Sequence, residues 1–72
     1  MKEIDIKDVK LGFKFLAKDC DETGKWFVNE IIKISDDKFW AKETDPNSAW
    51  QGLEYDFPKE EISDTEQFRT LS

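Results

Sequence analysis

Residues 19–42 read DCDETGKWFVNEIIKISDDKFWAK and contain the pattern of a β-hairpin. Two runs rich in aromatic and β-branched residues, 25–34 and 38–43, are separated by the polar triplet at 35–37. Clusters of Asp, Ser and Gly between such runs mark points where a chain reverses direction. The stretch therefore predicts two antiparallel strands and, with them, a small antiparallel β domain.

The same patterns extend to the flanking sequence. Residues 13–18 alternate with the period of two that is typical of a strand. Pro58 favours the first position of a helical turn, and acidic residues follow it, as they do near a helix N-terminus. Outside the hairpin we predict strands at 13–18, 50–57 and 66–71 and a helical turn at 58–62.

The long run at 25–34 carries large apolar side chains on both faces. A strand of this kind usually bends or contains a bulge, because it serves two packing surfaces. We expect the face that begins with Trp26 to meet the core. The side chains predicted to be largely buried are Trp26, Ile32, Ile34, Phe39 and Leu53.

Five short strands with a helical turn before the last predict an all-β protein, a small, bent, five-stranded antiparallel barrel. The run Gly24–Ile34, with Gly before a Trp-aromatic pair and then apolar residues, resembles the second strand of Tudor domains. Tudor domains belong to the Src-homology-3-like small barrels. The resemblance implies such a barrel, and it implies a reader of methylated lysine or arginine side chains as one candidate function.

Length and composition limit the function classes. Seventy-two residues form one domain, and one cysteine with no histidine leaves no internal disulfide and no conventional zinc site. No segment approaches 18 consecutive apolar residues, and the N-terminus lacks the apolar region of a signal peptide. We expect a soluble cytoplasmic protein without a cofactor, since a free Cys20 fits a reducing compartment.

The net charge of −6 is concentrated in the second half of the chain. Residues 41–72 carry three basic and eight acidic side chains. A phosphate backbone attracts the opposite charge, so we expect no direct binding of nucleic acid. A basic protein surface is the better partner, and a role in solubility alone is the alternative.

Two groups of residues are candidates for partner binding. Neighbouring residues of a strand point to opposite faces, so one member of a pair such as Trp26-Phe27 can be core while the other lines a groove. Aromatic faces beside a carboxylate would attract a lysine or arginine side chain; the alternative is that these aromatics only fill the core. The candidates are an aromatic group, Phe27, Trp40, Trp50 and Tyr55 with Asp45, and an acidic group, Glu54, Asp56, Glu60, Glu61 and Asp64.

These observations predict a non-enzymatic protein-binding module that engages a basic partner. Nothing in the spacing of the acidic residues selects a catalytic pair, and no histidine and no arrangement of serine or lysine with a base accompanies them. Size and charge also suit a phage or mobile-element inhibitor of a host nucleic-acid-binding protein. The Tudor-type reader is the alternative, a purely structural subunit is a third class, and the oligomeric state stays open.

One segment is similar to a metal loop. Asp19, Asp21, Gly24 and Glu30 match positions 1, 3, 6 and 12 of the EF-hand calcium loop. EF-hand loops lie between two helices, whereas both flanks here follow strand patterns. We therefore interpret the segment as a hairpin turn and expect no bound metal.

Millimolar calcium should leave the melting temperature unchanged, because a turn without flanking helices lacks a preformed cage for the ion. The measurement is a thermal melt with calcium and with a chelator. A rise of several degrees that Glu30→Gln abolishes would contradict the prediction.

Overall fold

The computed structural model describes residues 3–18 and 24–71 and consists mainly of strands. Its helical segments are two 3₁₀ helices, Ile6–Asp8 and Lys59–Ser63. Within residues 3–18 and 24–71, no helix is long and apolar enough to cross a membrane. The predicted all-β class is confirmed, as is the helical turn before the last strand. The strands are β1 (Lys14–Lys18), β2 (Trp26–Ile34), β3 (Lys38–Glu43), β4 (Glu54–Pro58) and β5 (Phe68–Arg69).

The strands form a single antiparallel sheet in the order β4-β3-β2-β1-β5. β2 and β3 meet at the predicted polar turn, where the backbone N–H of Ser35 donates to the carbonyl oxygen of Lys38 at 3.0 Å. The Ser35 hydroxyl accepts a hydrogen bond from the N–H of Lys38 at 3.2 Å. Each of the strands β1 to β4 pairs with the next one along the chain, and β5 then pairs with β1. The sheet curls into a half-barrel with β4 and β5 at its edges.

β2 contains an irregularity that changes which side chains face inward. Its pairing with β3 shifts by one residue between Ile31 and Lys33. An extra residue in one strand reverses the alternation beyond it. Ile31 therefore lies opposite Ala41, and Ile34 lies opposite the fully buried Phe39, on the same inner face.

The predicted assignment of the two faces of β2 was wrong. Phe27, Asn29 and Ile31 are the buried residues, whereas Trp26 is half-buried on the outer face. Ile32 lies at the bulge and is 38% exposed. Alternation alone does not identify the inner face when both faces are apolar, and the bulge brings only Ile34 back towards the core.

Two further expectations about burial have different outcomes. Phe39 is fully buried, as predicted, and Ile34 is half-buried against the core. Leu53 is 48% exposed, because it precedes β4 instead of lying within it. The predicted fourth strand began at residue 50, but residues 44–53 form a loop, and β4 begins at Glu54.

The core is built on aromatic rings from four strands. The centroid of the Phe68 ring lies 5.6 Å from that of Phe15, 5.9 Å from that of Phe39 and 5.3 Å from that of Phe57, and all three pairs are edge to face. Such arrangements are favourable because the positive edge of one ring meets the negative face of another. These rings draw the two edges of the sheet together at one end of the half-barrel. Ile4 and Ile62, both fully buried, complete the cluster there.

Charged residues of opposite sign alternate across the outer face of the sheet. Lys14 is the register partner of Glu30, which is the partner of Lys42, which is the partner of Glu54. Opposite charges on directly facing positions stabilise a sheet by about 0.2–1 kcal/mol each. The outer face therefore carries mixed charge and not a uniformly acidic surface.

Ile31→Ala should destabilise the protein by about 2–5 kcal/mol, because it removes a buried side chain and leaves a cavity. Ile32→Ala is the matched control and should cost clearly less, since Ile32 is partly exposed at the bulge. Urea denaturation of both variants measures the difference. Equal costs would contradict the assignment of the inner face.

Candidate binding pocket

The open end of the half-barrel contains a pocket of about 380 Å³ between β4 and β5. At the other end the rings of Phe57 and Phe68 touch and close the gap between the two edges. Towards residue 53 the edges diverge, and the inner face of the sheet becomes accessible. The pocket is lined by the apolar or aromatic residues Ala17, Trp50, Leu53, Tyr55, Phe57 and Phe68 and by the polar residues Lys18, Glu43, Glu66 and Gln67.

The loop 44–53 places Trp50 at the rim of this pocket. Two backbone hydrogen bonds join the ends of the loop. The N–H of Glu43 donates to the carbonyl oxygen of Leu53 at 2.9 Å, and the backbone carbonyl oxygen of Glu43 accepts the N–H of Gly52 at 2.7 Å. Gly52 has φ +94°, a conformation that side chains disfavour, and it allows the chain to turn into β4. Trp50 is left 50% exposed, with its ring available to a ligand.

Asp45 fixes the loop to the sheet. One carboxylate oxygen accepts the N–H of Asn47 at 2.9 Å, and the other accepts the N–H of Val28 in β2 at 3.2 Å. These hydrogen bonds hold the pKa of Asp45 below its usual value, and the one from the N–H of Asn47 has the larger effect. The sequence prediction gave Asp45 a role beside the aromatics. In the structure its carboxylate holds the backbone that positions Trp50.

The buried acidic residue of the pocket is Glu43, and the sequence analysis selected neither it nor Glu66, the second acidic residue of the lining. Glu43 is the last residue of β3 and is only 8% exposed. Its carboxylate accepts a hydrogen bond from the hydroxyl of Ser48, which is also buried. Period-two alternation with Phe39 and Ala41 would have placed Glu43 on the inner face, and this was the available signal.

Tyr55 forms the floor of the pocket with a buried polar partner below it. Its hydroxyl donates a hydrogen bond to the side-chain oxygen of Asn29, and the Asn29 amide donates to the carbonyl of Phe27 at 3.1 Å. Burial raises the pKa of Tyr55 well above its usual value, and the nearby negative charge of Glu43 adds to the effect. The phenol therefore remains a neutral hydrogen-bond donor.

The four aromatics of the predicted patch do not come together. Trp50 and Tyr55 share the pocket, whereas Phe27 is buried on the inner face and does not line it. Trp40 lies on the outer face, where the ammonium of Lys33 is 4.7 Å from its ring centroid. On the same face Arg69 lies over Trp26, 4.1 Å from the ring centroid.

The predicted acidic residues fall into two places. Glu54 and Asp56 are exposed on the outer side of β4, where Asp56 forms an ion pair with Lys38 at 3.1 Å. Glu60 is exposed and Glu61 half-buried on the second 3₁₀ helix, which follows β4 directly.

Gln67 joins part of this acidic group to the pocket that it lines. Its side-chain amide donates to Asp64 at 2.8 Å and to Glu61 at 3.3 Å. The amide and the N–H of Glu66 hold the pKa of Asp64 below its usual value. Negative charge therefore lies along the β5 side of the opening.

The segment that resembles a calcium loop lies mostly outside the described residues, which exclude 19–23. Its last position, Glu30, is in β2 with Lys14 and Lys42 as register partners, so a strand and not a helix follows the loop. Within residues 3–18 and 24–71, no three acidic or cysteine side chains are grouped as a metal site requires.

Comparison of the chain with family models, with curated proteins and with solved structures gave no match.

Tyr55 should resist ionisation until the protein unfolds. It is the only tyrosine, so phenolate absorbance reports on it alone. Because folding raises the pKa of Tyr55, the unfolded chain loses the phenol proton above about pH 10 while the folded chain keeps it. The free energy of unfolding therefore decreases as the pH rises above about 10. We expect phenolate absorbance and loss of circular dichroism to rise together in the native protein, and phenolate to appear near pH 10 in urea.

Glu43→Gln is the matched variant, because it removes the neighbouring charge and retains the side-chain size. It should move the native titration of Tyr55 to lower pH. Ionisation near pH 10 in a protein that keeps its full dichroism would show that the phenol is not buried against Asn29.

Proposed function

We propose that this chain is a non-enzymatic protein-binding module that engages a basic partner and holds one lysine or arginine side chain in the pocket between β4 and β5. The observation that carries the proposal is the union of Trp50, Tyr55 and the buried carboxylate of Glu43 in one open pocket. Aromatic faces attract a cation, and a carboxylate at the base fixes its position. A long aliphatic stem fits the apolar walls.

The distribution of charge supports recognition of a single cation over imitation of a nucleic-acid backbone. Lysines are interleaved with the acidic residues on the outer face, so β4 offers no continuous row of negative charge. Among the described residues that line the pocket, two are acidic, Glu43 and Glu66, and one is basic, Lys18. An inhibitor of a host nucleic-acid-binding protein, acting in a reducing cytoplasm, is the special case in which the basic partner surface is a phosphate-binding groove.

The Tudor-type reader is the second candidate, and the aromatic lining favours it. A methylated ammonium loses hydrogen bonds but keeps its attraction to aromatic faces, so a pocket built for it would prefer trimethyllysine to lysine. A pocket in which Glu43 dominates would prefer the unmodified ammonium or a guanidinium, which can donate hydrogen bonds to the carboxylate.

Short peptides test the proposal without a known partner. Acetylated and amidated Gly-Gly-X-Gly-Gly, with arginine, lysine, trimethyllysine or norleucine at X, would be titrated into isotope-labelled protein and followed at the indole N–H of Trp50. We expect binding of the arginine and lysine peptides and none of the norleucine peptide. Preference for trimethyllysine would favour the reader.

Variants locate the binding energy. Trp50→Ala should weaken binding of the arginine peptide about tenfold, as the loss of one cation–π contact in a partly desolvated site predicts. Trp40→Ala is the control, because Trp40 lies on the outer face and should leave the affinity unchanged. Equal effects of the two variants, or tight binding of the norleucine peptide, would overturn the proposal.

A further inference from the structure

The edge strand β4 directs backbone hydrogen-bonding groups into the same opening. The bonds that flank its ladder join Glu43 with Leu53 and Asp37 with Lys59. Hydrogen-bonded and non-hydrogen-bonded pairs alternate in an antiparallel ladder, so residues 55 and 57 bond to β3. The backbone N–H and C=O groups of Glu54 and Asp56 therefore point away from β3, on the side of β4 that has no neighbouring strand among the described residues.

The strand directions are compatible with one additional strand between β4 and β5. β1 is antiparallel to both β2 and β5, β2 is antiparallel to β3, and β3 is antiparallel to β4. β4 and β5 therefore run in the same direction. A single strand placed between them can be antiparallel to both, and it would extend the half-barrel towards a closed barrel.

The side chains around this edge indicate the chemistry of such a strand. Residues of an added strand that face inward would meet Leu53 and Tyr55. One of them can place the lysine or arginine of the proposed function in the pocket, and the others should be apolar.

Residues directly opposite Glu54 and Asp56 would lie on the outer face beside two exposed carboxylates. Lys42 and Lys38 flank these carboxylates on the β3 side, and basic residues of the added strand would continue the alternation of charge across the face. A second copy of β4 is disfavoured, because its acidic residues would face the same acidic residues.

We infer that β4 binds an extended segment of the basic partner by strand addition, antiparallel to residues 54–56, with lysine or arginine alternating with apolar residues. Exposed sheet edges commonly bind peptides in this way, the backbone giving affinity and alternate side chains giving specificity. The inference rests on the proposed function for the nature of the partner. It adds the backbone pairing and the alternating pattern.

The probe is an acetylated and amidated octapeptide of alternating lysine and valine. On binding, the amides of Glu54 and Asp56 should gain protection from hydrogen exchange, whereas those of Tyr55 and Phe57 should change little because β3 already protects them. A peptide methylated on the lysine backbone nitrogens should bind about tenfold more weakly, since those amides face β4. The same peptide methylated on the valine nitrogens is the control. Its methylated amides face away from β4, so it should bind more tightly than the lysine-methylated peptide.

Variants of Asp56 test the edge from the protein side. Asp56→Pro removes an N–H that β3 does not use, in an edge strand where proline is tolerated, and it should abolish the protection at Glu54. Asp56→Asn keeps the N–H and should retain the protection. If Asp56→Pro fails to fold, the two methylated peptides decide; equal binding of those peptides, or no protection at residues 54 and 56, overturns the inference.

The two proposals fail separately. Binding of the arginine pentapeptide at Trp50 without protection of β4 by the octapeptide overturns strand addition and leaves the pocket. Protection of β4 that is unchanged in Trp50→Ala, with no binding of the pentapeptide, supports strand addition and overturns the cation pocket.

Discussion

The contact of the Phe68 ring with Phe15, Phe39 and Phe57 is the interaction on which the rest of the structure depends. Phe68 belongs to a strand of two residues, yet its ring touches side chains from three other strands. A flat five-stranded sheet could not bring β4 and β5 together. The aromatic cluster pulls the two edges inward at one end, and the sheet curls. The same contact creates the pocket, because the edges that meet at Phe57 diverge towards residue 53.

Buried polar groups in the open half of the barrel are arranged in pairs. Tyr55 donates to Asn29, and Ser48 donates to Glu43, so hydroxyl donors meet oxygen acceptors in a region shielded from water. Burying such groups without partners would be costly, whereas paired groups fix the geometry around them. The aromatic wall of the pocket is therefore held by directional contacts as well as by packing. A cation entering it would meet a rigid surface at Tyr55 and a more exposed ring at Trp50.

The outer face and the pocket serve different purposes in this arrangement. Alternating lysine and glutamate across β1–β4, with cations over Trp26 and Trp40, shields the apolar surface that the strands expose outward. The two tryptophans are thereby occupied by the chain itself. Trp50, in a loop held by Asp45, is the tryptophan that remains at the rim of an open pocket. The three tryptophans differ in their surroundings because of where the curled sheet places them, on its outer face or at the rim of the pocket.

Local patterns determined the class of the fold. Period-two alternation, the polar turn at 35–37 and Pro58 before the second 3₁₀ helix are short-range signals, and the hairpin and the helical turn form where they predict them. Tertiary structure decided the face of β2, because both of its faces are apolar and a bulge reverses their alternation. It also decided the membership of the pocket. Trp50 and Tyr55 meet Phe68 and Gln67 only because the sheet curls, and Glu43 and not Asp45 supplies the carboxylate because Asp45 is held by the backbone of Val28 and Asn47. Such contacts join residues far apart in the chain, and spacing along a sequence does not encode the curvature that brings them together.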